Sequence, residues 1–500
     1  REEADGLRRR GKFSVARALL NVHLRDDEGD HASRALLGAV YLDQGDLERA
    51  EQHLTEALEG SSDGALRDAI ARDLTRLFHQ LGRDREARDQ WLPILLDPEG
   101  ALDPSSFFWA AETLVELGNR EEATALYRAA SLGGAEGDWR SLLARGRSLQ
   151  RLGDIERAGN TLLRADAAAR EANGQAEADV LAALGDIFFE ADREVEEGSG
   201  RSAAQAYDEA LRVNPSHEGA LMGLFELHRV NWLRHRRSAS EFLRTLLELR
   251  PQSVDAHLAA ASNNLRVGKL PVVRSELRFL ESVAPGRREV QSLAAALAWV
   301  EHNREKCELI LAGLHGVDPK DSRPERTVGK HLLELYRFAE AKPFLESAVE
   351  RDPTDYQAWT HLANSLANVG EEDRALEALH RSQDEGGLRQ DAWRKNLTLV
   401  LERLDREYVV KDFGELSFAW KPDAAPVLEA YLEPFYREAR EELAERYGFT
   451  PTPTKIEVFR RHQDFSVRST GFEGFPALGV CFGPVVTALS PISEMRGQFS

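Results

Sequence analysis

Two punctuation residues recur along this chain with one period, and that period limits the fold more tightly than composition does. A glycine followed five residues later by an alanine occurs at Gly11/Ala16, Gly45/Ala50, Gly82/Ala87, Gly118/Ala123, Gly153/Ala158 and Gly370/Ala375. The first five of these glycines stand 34, 37, 36 and 35 residues apart. A second series, Pro215, Pro251, Pro285, Pro319 and Pro353, is spaced by 36, 34, 34 and 34. Glycine tolerates the positive φ that ends a helix, and proline cannot continue one. Each period therefore holds helices divided by breaks. Units of this kind must stack, since one hairpin cannot bury its own apolar face.

The stretch His31 to Glu59 shows the pattern in detail. Leu37, Gly38 and Tyr41 mark one face of a first helix, Gly45-Asp46 breaks it, and Asp46 is placed to cap the next. Ala50, Leu54 and Ala57 then mark the buried face of a second helix at i, i+4, i+7. Small residues at 38, 50 and 57 allow close approach, and Tyr41 and Leu54 fill the space beside them.

Asp355 to Ser382 carries the same motif as Trp359, Leu362, Ala363, Leu366, Gly370, Ala375, Leu379 and Ser382. This pattern resembles the tetratricopeptide repeat (TPR), and the resemblance runs from about Arg1 to Leu404. It implies a mainly α protein: a right-handed α-solenoid of about eleven helical hairpins with a concave groove. Departures are expected at four places. Arg1 to Asp30 reads as a second helix alone, its first helix removed. The polar, Gly-rich REVEEGSG insertion (193–200) reads as a loop. Tyr336 stands where the turn glycine belongs, and Pro343 falls early in the following helix, where a first-turn proline is tolerated. Finally, Gln390 to Leu404, with Trp393 placed 34 residues after Trp359, reads as a capping helix whose Arg394, Lys395, Glu402, Arg403 and Arg406 form a polar outer face.

The texture changes beyond residue 404. YVVKDFGELSFAW reads as one or two strands. Asp423 to Tyr447 reads as a long helix with Leu428, Leu432, Phe435, Tyr436 and Leu443 on its apolar side. KIEVF is a short strand, RHQDFSVRS a short helix, and LGVCFGPVVTAL one strand or a hairpin hinged at Gly483-Pro484. The expected organisation is thus a repeat array over 1–404 and a small, incomplete α+β region over 405–500. The first residue is Arg1, and sequence is expected beyond both ends.

Charge and cysteine usage narrow the function classes. With 65 Lys+Arg against 85 Asp+Glu, the net charge of -20 argues against general nucleic-acid binding, which needs a basic surface. Cys307 and Cys481 form neither a CxxC pair nor a disulfide framework. No apolar run approaches the roughly 18 residues of a membrane span. The compartment and oligomeric state stay open.

Catalytic motifs are sparse. His217-Glu218 lacks the second histidine of HExxH and suits a helix start. His462-Gln463-Asp464 reads as a cap or surface cluster, and Gly471, Gly474 and Gly479 are too far apart for a phosphate cradle. The order of elements from RYGFTPTPTKIEVF to RHQDFSVRSTGFEGFPALGVCFGPVVTALSP nevertheless resembles the leading part of peptidase MA-like (gluzincin-type) zinc metallopeptidase domains that follow TPR arrays in some large bacterial proteins. The resemblance implies that zinc enters only if the protein continues into an HExxH helix. No catalytic residue, metal ligand or cofactor can be carried over to this chain. It also implies that the strand Gly479 to Leu489 can lie beside a substrate, although Val480, Phe482, Val485 and Val486 read first as core of a buried structural strand.

The TPR resemblance supplies one more candidate. In peptide-binding members the fifth and ninth residues of the first helix often face the groove. Here these are Arg326 and Lys330, Thr360 and Asn364, Arg394 and Thr398. Arginine and lysine suit a carboxylate, and asparagine suits an extended backbone. Two functions stay open: a protein-interaction scaffold fused to a metallopeptidase opening, or a non-enzymatic TPR adaptor with a small α+β interaction domain.

Overall fold

The structure is a computed structural model that describes residues 1–97, 103–191, 202–230, 238–387, 389, 392–449 and 452–491. Its residues divide into two compact units, Arg1–Lys320 and Asp321–Ser500. The protein is mainly helical, with a small sheet near the C-terminus.

Among the described residues of the first unit, helices pair into nine hairpins. These are α1 (Glu2–Arg9) with α2 (Phe13–Asp26), α3 (His31–Gln44) with α4 (Leu47–Gly60), and α5 (Gly64–Gln80) with the broken pair α6 (Asp84–Gln90) and α7 (Leu92–Leu95). Next come α8 (Pro104–Glu116) with α9 (Arg120–Leu132), α10 (Trp139–Arg151) with α11 (Ile155–Asn173), and α12 (Ala178–Glu190) with α13 (Ala203–Val213). The last three are α14 (Glu218–Val230) with α15 (Ala239–Leu249), α16 (Val254–Arg266) with α17 (Leu270–Val283), and α18 (Arg288–Val300) with α19 (Arg304–Val317).

The expected local chemistry forms the hairpins. Asp30 accepts from the Ser33 amide at 3.0 Å and Asp46 from the Arg49 amide at 3.3 Å, capping α3 and α4. Gly45, at φ 84, ends α3 in the left-handed region. Small residues on each first helix then seat a large residue of the second. A Cβ on Gly38 would stand 2.7 Å from Leu54 Cγ, and one on Gly146 2.6 Å from Leu162 Cγ. Leu54 and Leu162 are fully buried as a result.

The N-terminus corrects one expectation. Its first helix is present as α1, eight residues long, with Ala4 and Leu7 buried. It is short, so its apolar residues fill too few turns to show a period. The REVEEGSG insertion lies outside the described residues.

The second unit begins with two more hairpins, α20 (Arg323–Glu334) with α21 (Phe338–Arg351) and α22 (Tyr356–Val369) with α23 (Glu372–Gly386). Tyr336 takes the glycine's place at φ 59. Pro343 is the sixth residue of α21 and so lies past the first turn in which it was expected. Gly329 seats Leu345 as Gly38 seats Leu54.

Next comes α24 (Ala392–Glu407), then β1 (Val409–Asp412), β2 (Leu416–Trp420), α25 (Ala425–Tyr447), β3 (Thr454–Phe459), α26 (His462–Thr470), β4 (Gly479–Cys481) and β5 (Val485–Leu489). The strands form one mixed sheet in the order β1-β2-β3-β5-β4. Its centre, β2-β3-β5, is parallel, and each edge is an antiparallel hairpin. The strand reading of 478–489 resolves as a hairpin, with Gly483 at φ 120 in the turn. Phe418, Trp420, Ile456 and Val458 form the sheet core with Leu428 of α25.

Helix α24 is not the polar cap that its sequence suggests. Arg394 is 5% exposed, Asn396 donates to the Gly471 carbonyl at 3.1 Å, and Arg403 pairs with Asp464 of α26. A Cβ on Gly471 would meet the Trp393 ring. Of the residues expected to meet solvent, Arg394 is held by α23 and Arg403 by α26, while Lys395 and Arg406 are exposed. The change of texture at residue 404 is therefore a change in secondary structure inside a compact unit that starts at Asp321. In α25 only Leu428 of the expected apolar side is buried; Phe435 is 61% exposed and Leu443 44%.

Candidate functional site

The first helices of the last two hairpins, with α24, carry the six groove candidates. Members of each pair are four residues apart and share one helix face. Arg326 Nη1 donates to Asp355 Oδ1 at 2.8 Å. That carboxylate also caps α22, accepting from the Gln357 and Ala358 amides at 3.1 and 3.0 Å, and receives the Ser322 hydroxyl at 2.6 Å. Arg326 is therefore part of a structural cap.

Thr360 Oγ1 donates to the Tyr356 carbonyl and lies 2.6 Å from Ser382 Oγ. Asn364 accepts from Asn368 Nδ2 at its side-chain oxygen, 2.8 Å away. Arg394 Nη1 donates to the Ser382 carbonyl at 2.8 Å and to its hydroxyl at 3.0 Å. Gly386 makes room for it: a Cβ there would stand 2.9 Å from Nη1. Thr398 donates back to the Arg394 carbonyl at 2.9 Å. Arg394 is thus spent on the end of α23, and the Thr398 hydroxyl on a carbonyl of its own helix.

Lys330 differs. It is half-buried, and no acidic side chain pairs with it among the described residues. Its charge acts on His361, which sequence reasoning did not single out. His361 Nδ1 is buried and has no hydrogen-bond partner among the described residues. Burial, then the charges of Lys330 and Arg326, push this imidazole down to about 3, against the opposing pull of Asp355 and Glu334. His361 is consequently neutral at physiological pH.

The other sequence candidates are structural. His217 Nδ1 accepts the Ala220 amide at 3.1 Å, while Glu218 takes Arg250 at 3.1 Å. Asp464 is held by Arg403. Among the described residues, no group of three or more His, Cys, Asp or Glu is placed to hold a metal ion, and no helix is long and apolar enough to cross a membrane.

Comparison with known proteins addresses the repeats. Tetratricopeptide-repeat family models match residues 1–65 and 332–394. The chain carries tetratricopeptide repeats. Among solved structures it is similar to yeast Tom70 at TM-score 0.34 and 15% identity, covering 81% of this chain and 95% of that one. It is also similar to a tetratricopeptide repeat protein from Parabacteroides merdae, at TM-score 0.36 and 17% identity over 53% and 98% of the two chains. A third is the APC/C hetero-tetramer Cut9-Hcn1, at TM-score 0.33 and 16% identity over 78% and 81%. No curated protein matches the chain.

Proposed function

We propose that the chain is a protein-interaction scaffold and that the first-helix face of its last two hairpins, α20 and α22, receives an acidic segment of a protein partner. The supporting observation is Lys330: a half-buried cation with no acidic partner among the described residues, beside the His361 imidazole, whose Nδ1 has no partner among them either. A carboxylate supplied by a partner would complete Lys330, and the Asn364 amide would take an adjacent backbone group. A hydrogen bond to a charged group contributes about 1.5–3 kcal/mol. Lys330→Ala should therefore weaken retention of partner proteins on the immobilised full chain by roughly ten- to a hundred-fold in affinity. Retention equal to wild type would remove the reading. Arg326 is left intact because it holds the α22 cap.

A narrower reading, in which 405–500 opens a zinc metallopeptidase domain, is supported by one feature. The sheet ends in β4, an antiparallel edge strand whose outer side an extended peptide backbone could pair with. Metal content and chelator-sensitive peptidase activity of the longest natural form test it, and a metal-free, inactive protein favours the adaptor reading.

A further inference from the structure

The glycine and proline series of the sequence meet in space within Arg1–Lys320. The turn inside hairpin one, at Gly11, lies against Asn214 and Ser216, which flank Pro215. The turn of hairpin two, at Gly45, touches Arg250, just before Pro251. The turn of hairpin three, at Gly82, meets Gly286 and Arg287 backbone, just after Pro285. The turn of hairpin four, at Gly118, meets Val317 and Asp318, just before Pro319. In every case a turn inside hairpin n touches the loop leading into hairpin n+6.

Arginines bridge the same line. Arg250, 5% exposed, donates to the Ser216 carbonyl at 3.1 Å and lies 5.8 Å from the Phe13 ring centroid, so it spans both sides. Arg288, also 5% exposed, reaches back to the Glu116 carboxylate at 3.1 Å and to the Glu116 carbonyl. Arg120 crosses in the other direction, to Asp318 at 2.9 Å and the Lys320 carbonyl at 3.0 Å.

From this geometry we infer that the first unit is a coil of six hairpins per turn, clasped shut along a seam where successive turns touch. A coil whose repeats contacted only their neighbours would stretch like a spring, because nothing would resist a small rotation at each hairpin. Contacts between hairpins five or six apart remove that freedom. The ion pairs make opening sensitive to salt, and the backbone contact at Gly82 makes it sensitive to one methyl group.

The test compares two turn glycines with nearly the same backbone. Gly82 has φ 69 and Gly268 has φ 71, so alanine is strained equally at both. A Cβ at 268 meets nothing within 4 Å, whereas one at 82 would fall on the Arg287 backbone nitrogen. Small-angle scattering of the full chain should show a larger radius of gyration and maximum dimension for Gly82→Ala than for Gly268→Ala, with Gly268→Ala matching wild type. Identical curves for the two variants, expanded or not, would overturn the clasp. If Gly82→Ala loses its helical circular dichroism, the Arg120→Ala/Arg288→Ala double variant decides. It leaves the hairpin cores intact and should expand at low salt, as wild type should in molar salt. A wild-type curve from the double variant would equally overturn the inference.

Discussion

Hairpins three and eleven turn the same corner, a left-handed glycine between two helices, and set it against different neighbours. Gly82, at φ 69, abuts the backbone of Gly286 and Arg287, so the contact has no side chain to yield. At Gly370, with φ 87, an added Cβ would stand 3.7 Å from Val485 Cγ2 and 3.9 Å from Lys455 Cδ, ordinary contacts with side chains of the sheet. Around it α26 and the sheet supply further contacts. Arg468 Nη2 donates to the Ala367 carbonyl at 2.7 Å, Lys455 pairs with Glu372, and Phe482 stacks on Tyr336 at 5.0 Å. The repeat thus offers the same half-satisfied corner each time, with carbonyls at a helix end and helix amides just beyond. At Gly82 and Gly118 of the first unit the loop of another hairpin fills it with backbone, and at Gly11 with the Asn214 and Ser216 side chains. In the second an unrelated sheet fills it, through long side chains.

The largest effect should come from removing the charge that anchors the sheet. Arg468 is 4% exposed, and its Nε lies 2.9 Å from Glu457, which is fully buried. Arg468→Met would leave that carboxylate without its partner, a change that costs about 3–5 kcal/mol. Hydrogen exchange read by mass spectrometry should show lost protection in β2 and β3 and unchanged protection in α3 and α4. Equal loss in both would mean that the units unfold together, which breaks the comparison.

The two units should also part company with pH, by a smaller amount. In the first, burial works against charge on His79, but the hydrogen bond and charge of Asp84, 3.0 Å away, together with Glu112 and Glu116, outweigh it and push the imidazole up to about 9. The folded form holds the proton more tightly than the unfolded chain does. This stabilisation is complete below the ordinary value near 6.5 and is lost as pH rises through about 9. In the second, His361 is pushed down to about 3, so the unfolded chain binds the proton more readily. Its contribution is present above about 6.5 and is lost as pH falls toward 3. Protection of α5 should therefore weaken on the alkaline side and that of α22 on the acid side. His79→Gln and His361→Gln should each flatten one limb; a limb that survives its substitution has another origin.

These contrasts show which parts of the molecule the sequence could reveal. The hairpins were legible because their signals are local: a capping Asp46, a left-handed Gly45, a Gly38 that seats Leu54. The meeting of the glycine and proline series was not, because it depends on the small rotation between neighbours summed over six hairpins. The burial of Arg394 escaped for a related reason. Fifth-position spacing says which way a side chain leaves its helix, while Ser382 and Gly386 decide whether a cavity awaits it. Lys330 obeys the spacing, whereas His361 carries no sequence signal, because what sets it apart is a ring nitrogen without a partner among the described residues.

The smallest effect tests whether side-chain docking is as forgiving as the geometry says. Alanine at 370 would suffer the left-handed backbone, about 1–2 kcal/mol. It would add only ordinary contacts to Val485 and Lys455, whose ends can shift. Gly370→Ala should thus lower the protection of α22 and α23 by that amount and leave β3 and β5 paired, with Lys455 still reaching Glu372. At Gly82 the same methyl meets backbone that cannot move without moving a whole hairpin. If the sheet instead loses protection well beyond the 1–2 kcal/mol of backbone strain, the second corner is as unyielding as the first. The difference between the units would then lie in the buried ion pairs alone.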